Sequence, residues 1–131
     1  MSIILGIFLA GAAYADVHVS SIARVYDGDT ITVNIDQWPP IVGQAISIRV
    51  RGVDTPEIRG KCQAEKDLAR RAKSYTAAAV KYGQVTLKNL ERGKYFRIVA
   101  DVEVNGKPLA AALISQGLGR PYDGGKRKGW C

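Results

Sequence analysis

The hydrophobic period changes once in mid-chain, and that change limits the folds open to this sequence. Before residue 62 apolar and polar residues alternate. Ile46, Ile48 and Val50 fall on one side and Ser47, Arg49 and Arg51 on the other, the two-residue repeat of a strand with one face on a core. Residues 17–26 and 30–35 alternate well enough for two more strands, with Asp27, Gly28 and Asp29 as the turn between them. His18 lies in the first of these strands and reads as a surface residue. "DQWPP" and Gly43 read as a loop. From 62 to 82 the repeat lengthens. Leu68, Ala72, Tyr75 and Ala79 make one stripe of an amphipathic helix, Lys66, Arg70, Arg71 and Lys73 lie mostly off it, and Gly83 ends it. Alternation returns at 84–90 and at 94–104, where Phe96, Ile98, Ala100, Val102 and Val104 share a face. Asn105-Gly106 is a turn. A second helix is predicted over 109–118, closed by Gly117 or Gly119.

Three strands, a helix, two strands and a helix give the order of an OB-fold barrel, whose open face binds oligonucleotides. The expected fold class is therefore α+β, mainly β: a five-stranded OB-fold barrel with two flanking helices. A chain of 131 residues suits one compact domain, here 16–131. Residues 3–13 are apolar or small, and Ala13-Tyr14-Ala15 fits the small-x-small rule for cleavage of a signal peptide. The run is too short to span a bilayer, which takes about 20 residues. A secreted or periplasmic protein with no stable membrane association is expected, against the alternatives of a buried N-terminal strand or a membrane anchor. No basic residue precedes the apolar run, so its true start is open. The cysteines are Cys62 and Cys131. In an exported protein an even count predicts a disulfide, which would tie the end of the sequence to the start of the first helix. Two cysteines and one histidine are too few for a zinc site.

The net charge is +7. A basic surface concentrates polyanions, and nucleic acid is the commonest. Three polar islands stand at strand ends or on a polar strand face: "DGDT" at 27–30, "RVRGVDTPE" at 49–57 and "KYFR" at 94–97. Hydrolysis of a phosphodiester needs cations on the phosphoryl oxygens, and the planar fork of arginine pairs bidentately with phosphate. Hard oxygen ligands select Ca²⁺ or Mg²⁺, and a carboxylate serves as general base. Asp29, Asp54, Glu57, Arg49 and Arg97 supply these groups. Each island alone reads as a turn or a salt-bridged corner; the argument rests on their joint occurrence in order.

"VYDGDTITV", "RVRGVDTPE" and "KYFRIVADV" resemble the staphylococcal nuclease (thermonuclease) family, from about residue 20 to 122. The resemblance implies an OB barrel with added helices. It implies a Ca²⁺-dependent nuclease acting on DNA and RNA with little sequence preference, leaving 3′-phosphate ends. It assigns Ca²⁺ to Asp29, Asp54 and the backbone carbonyl of Thr55. Glu57 resembles the residue that activates the attacking water, and Arg49 and Arg97 the pair that holds the phosphate. Lys94 and Tyr95 fall where the family contacts a neighbouring phosphate, Tyr122 matches the nucleotide-stacking tyrosine, and Asp27 supports the site from behind.

Two departures matter. The family reads "D-K-Y-G-R" where this chain has Gly93-Lys94-Tyr95-Phe96-Arg97. If that glycine takes a positive φ, Phe96 is strained and the aim of Arg97 changes. Typical members also carry a further C-terminal helix where this sequence ends at Cys131, and the disulfide is expected to replace that anchor. The competing readings are a non-catalytic OB-fold module that binds nucleic acid and a scaffold that binds proteins. The acidic residues and both arginines favour the enzyme. The expected state is a monomer.

Overall fold

The computed structural model describes residues 16–131; the expected signal peptide at 1–15 lies outside the described residues. The elements in order are β1 (Val17–His18), β2 (Ser21–Asp27), β3 (Thr30–Asn34), α1 (Pro40–Gly43), β4 (Ile46–Val50), β5 (Gly52–Asp54), α2 (Gln63–Tyr82), β6 (Val85–Arg92), β7 (Ile98–Val104), β8 (Lys107–Pro108), α3 (Leu109–Ser115) and β9 (Arg120–Tyr122).

The main sheet runs β1-β6-β7-β4-β3-β2, with β8 on β7, and β5 and β9 form a separate ribbon. All its neighbours along that path are antiparallel except β4 and β7, which are parallel. A parallel pair needs a long crossover, and the chain between β4 and β7 contains α2 and β6. The first predicted strand is broken at Val19-Ser20, and the break does structural work. Val19 N–H donates to Val85 O at 3.0 Å and Ser20 N–H to Asn34 O at 2.9 Å. Adjacent residues thus bond to opposite ends of the sheet, which curls round and meets itself through one segment. This is the expected OB-like order.

The inward residues are apolar: Ile31, Val33, Ile35, Ile48, Val50, Val53, Leu87, Ala100 and Val102 are buried, and α3 adds Leu109 and Leu113. Each large aliphatic side chain so buried contributes about 1.5–3 kcal/mol. The helical stripe is displaced from the expected one. The buried face of α2 is Glu65, Ala69, Ala72, Thr76 and Val80, with Leu68, Tyr75 and Ala79 only partly covered. Small residues let the helix approach the β2–β3 turn. A Cβ on Gly28 would lie 2.9 Å from both Ala72 Cβ and Thr55 Cγ2, so the turn needs glycine for room. Thr76 Oγ1 donates to Gly28 O at 2.7 Å, fixing the turn on the helix.

Two expectations need correction. Among the described residues the helices number three rather than two, because Pro40 starts a single turn, α1, in the expected loop. The fifth strand, expected from 94, begins at Ile98. Residues 94–97 form a turn in which Arg97 N–H donates to Lys94 O at 3.1 Å. Phe96 is 85% exposed and so leaves the apolar face that alternation gave it.

Candidate active site

Two strand ends and a turn bring the first carboxylates together. Thr30 is opposite Arg49 in the β3–β4 register, so Asp29 stands at the mouth of the barrel beside Arg49. Arg49 Nη1 lies 3.0 Å from Asp29 Oδ2, and Nη2 lies 3.7 Å from Asp54 Oδ1. The same Nη1 donates to Val50 O at 3.1 Å and Val53 O at 2.9 Å. Asp29 Oδ2 also accepts from Thr55 N–H at 3.0 Å, and Oδ1 from Thr30 Oγ1 at 3.0 Å. Asp27 Oδ1 accepts from Asp29 N–H at 3.1 Å. Burial, and then the Asp29 charge, push the Asp27 carboxyl up to about 8.

These groups border an open groove of about 1560 Å³ whose walls include Asp29, Arg49, Glu57, Lys94, Arg97, Tyr122 and Arg127. The groove therefore gathers all three residues expected to be catalytic, together with Lys94 and Tyr122. Asp54 and Thr55 are buried behind it. Tyr95 does not line it and is 94% exposed. Phe96 has φ 62 and Tyr95 φ 56, so the chain takes the left-handed turn without the family glycine. The strain, about 1–3 kcal/mol per residue, is tolerated, and Arg97 still lines the groove. Arg97 Nε is buried without a hydrogen-bond partner.

The segment after Tyr122, to which sequence assigned only its terminal cysteine, takes part in the site. Cys131 is joined to Cys62 with a Cα–Cα distance of 5.9 Å, as expected. The joined segment lies against the acidic cluster. Arg127 Nη1 is 2.5 Å from Glu57 Oε1 and 3.5 Å from Asp54 Oδ1, and Trp130 Nε1 donates to Asp54 Oδ2 at 3.4 Å. The signal was in the spacing. Glu57 and Cys62 are close in sequence, as are Arg127 and Cys131, so a disulfide between the cysteines brings the other two residues near each other.

Asp54 Oδ1 is a buried anionic oxygen with no hydrogen-bond donor; Arg127 Nη1 at 3.5 Å and Arg49 Nη2 at 3.7 Å balance its charge, and Arg49 also pairs with Asp29. The carboxylate oxygens of Asp29 and Asp54 are hard donors of the kind that fit Ca²⁺. Among the described residues no group of three or more His, Cys, Asp or Glu could hold a metal. Asp29 and Asp54, both paired with Arg49, are the carboxylates that would hold a cation. The remaining ligands would be backbone oxygen, water or substrate.

Fold and groove define an OB-barrel protein whose polar face sets arginines against carboxylates at one end of the barrel. The staphylococcal nuclease homologue family matches residues 47–128, and the chain belongs to that family. Over 100 residues it is 32% identical to Endonuclease YncB of Bacillus subtilis (strain 168), covering 74% of this chain and 44% of that one. It is 31% identical to SPbeta prophage-derived endonuclease YokF of the same organism, covering 74% and 32%. Over 113 residues it is 29% identical to the Thermonuclease of Staphylococcus hyicus, covering 85% and 63%. The aligned part of this chain thus spans less than two thirds of each relative's length, from 32% to 63%.

Proposed function

We propose that this protein is a Ca²⁺-dependent nuclease that hydrolyses phosphodiester bonds of DNA and RNA with little sequence preference, leaving 3′-phosphate ends. The observation that carries the reading is the convergence on one groove of Arg49 and Glu57, from the stretch 49–57, with Arg97, from a separate stretch of chain. The relatives named as endonucleases and thermonuclease support the reaction class. Arg49 and Arg97 hold the phosphoryl oxygens and offset the charge that grows on them. Glu57 accepts the proton of the water that attacks phosphorus. A 3′-phosphate product requires the bond from phosphorus to the 5′ oxygen to break. Bound by Asp29, Asp54 and the Thr55 carbonyl, Ca²⁺ would supply Lewis-acid polarisation of the phosphate. Lys94 contacts an adjacent phosphate and Tyr122 stacks on a base. The closed disulfide supports an exported, secreted or periplasmic protein, acting as a monomer.

End-labelled single-stranded DNA, duplex DNA and RNA, incubated with the protein in Ca²⁺, Mg²⁺ or EDTA, test the reading. Cleavage in Ca²⁺ with 3′-phosphate ends is expected. Full activity in EDTA would remove the metal from the mechanism, and tight binding without cleavage would favour the non-catalytic module.

A further inference from the structure

Glu57 is poorly held by its own element. It follows β5 on a stretch with neither helix nor strand. Its backbone N–H reaches Glu65 Oε2 only at 3.5 Å. Among the described residues, the one hydrogen bond to its carboxylate comes from Arg127. A group that must take a proton from a water in line with phosphorus cannot be left to rotate.

The segment that delivers Arg127 is fastened at both ends. Tyr122 pairs with Gly52 across the β5–β9 ribbon, and its hydroxyl donates to Gly125 O at 2.8 Å. Gly124 and Gly125 have φ 105 and φ 85, turning the chain back along the groove. Past Arg127, Arg120 stacks on Trp130 at 3.6 Å and donates to Gly129 O at 3.2 Å. Cys131 then closes on Cys62, the cap residue of α2. The covalent link thus returns to the loop that carries Glu57.

Resting on the nuclease reading, we infer that Arg127 is a positioning residue for Glu57, set in place by the Cys62–Cys131 disulfide. The bond from Arg127 Nη1 to Oε1 holds one carboxylate oxygen in place and so limits where the other can swing. At 49% side-chain exposure the guanidinium keeps further N–H donors facing the groove. A carboxylate freed by its loss is misplaced by about an ångström, which costs on the order of 10²-fold in rate.

Single-turnover and steady-state cleavage of a labelled oligonucleotide by the whole protein in Ca²⁺ test this. Wild type is first compared with Glu57→Gln. Equal rates there would overturn the general-base reading itself, and the proposal with it. With Glu57 shown to matter, Arg127→Ala is expected to lower kcat by about 10- to 100-fold, with KM and melting temperature nearly unchanged. Arg127→Lys recovers part of the loss. Added to Glu57→Gln, Arg127→Ala costs nothing more, because both act through one group. The paired Cys62→Ala/Cys131→Ala variant loses kcat to a similar degree, and Arg127→Ala adds little to it. Lys128→Ala, in the same segment, cuts at the wild-type rate.

Four results would overturn the proposal while leaving the nuclease reading standing. Arg127→Ala could cut as fast as wild type, or faster, the latter marking the segment as a guard over the groove. Its loss could multiply with that of Glu57→Gln, or appear in KM alone, either marking a direct phosphate contact. Lys128→Ala could lose as much as Arg127→Ala, which would make the charge of the segment, not the placement of Arg127, the cause.

Discussion

Asp29, Arg49 and Asp54, the barrel group, stand at strand ends and the β2–β3 turn, whereas Glu57, Arg97 and Arg127, the loop group, stand on loops beside them. The first group is buried, and strand register holds it: Arg49 faces Thr30 across β3 and β4. The second group is held by a left-handed turn at Tyr95-Phe96 and by a disulfide. In the barrel group the charges that would serve chemistry also hold the fold, since removing one partner leaves another buried and unpaired. In the loop group Nε of Arg97 is buried but Glu57 and Arg127 border solvent, so the fold is expected to depend on these charges far less. Stability and activity should therefore separate on one side of the groove and move together on the other.

The largest effect belongs to the barrel side. Arg49→Met strips the guanidinium from Asp29 and Asp54, which are 4% and 2% exposed. Stability should fall by about 3–5 kcal/mol, read from urea unfolding in EDTA, and activity should disappear with it. A stable Arg49→Met protein would break the comparison. On the loop side, Glu57→Gln should lower kcat by roughly 10² or more while melting like wild type. A large loss of stability there would put Glu57 with the barrel group.

Asp27 sharpens the barrel side through pH. Its carboxyl is raised from 3.8 to about 8 by burial and by Asp29. In the folded state it stays protonated across a window in which the unfolded chain has already lost the proton. That contribution to stability is fully present below about 4 and lost as pH rises through about 8. Melting temperature in EDTA should therefore decline between these limits, and Asp27→Asn should flatten the decline. An identical slope in both proteins would show that Asp27 is already ionised when folded. The smallest effect is Phe96→Gly. Relief of the positive φ at an exposed residue should raise stability by about 1 kcal/mol, measured by thermal melting, whereas unchanged or lower stability would mean that the turn is not strained.

The barrel was legible because each strand buries one face, so the pattern of Ile46, Ile48 and Val50 carries its own orientation. The parallel joint and the closure at Val19-Ser20 were not, since both depend on which strands meet and local pattern does not encode that. Alternation misplaced Phe96 because a backbone that turns left-handed no longer sends successive side chains to opposite faces. The stripe on α2 was misread because alanine packs as closely as leucine where a glycine turn must approach. In the site, Asp29, Arg49, Glu57 and Arg97 were visible as clustered charges. Arg127 was hidden among the basic residues 126–128, because a covalent link chooses one cation from that run and no periodicity marks it.

The parallel pairing of β4 with β7 also bears on how the molecule comes into being. β2, β3 and β4 pair with near neighbours, as do β6 and β7. The alignment of Arg49 with Val99 and its flanking pairs joins the two hairpin systems at their inner edges, as β1 on β6 does at the outer ones, and it must wait for a long loop to close. Arg49 and Arg97 lie on opposite sides of that seam. Both halves can acquire secondary structure and still cut nothing. In refolding, recovered cleavage would clock the moment the seam shuts, a step that far-ultraviolet circular dichroism passes over.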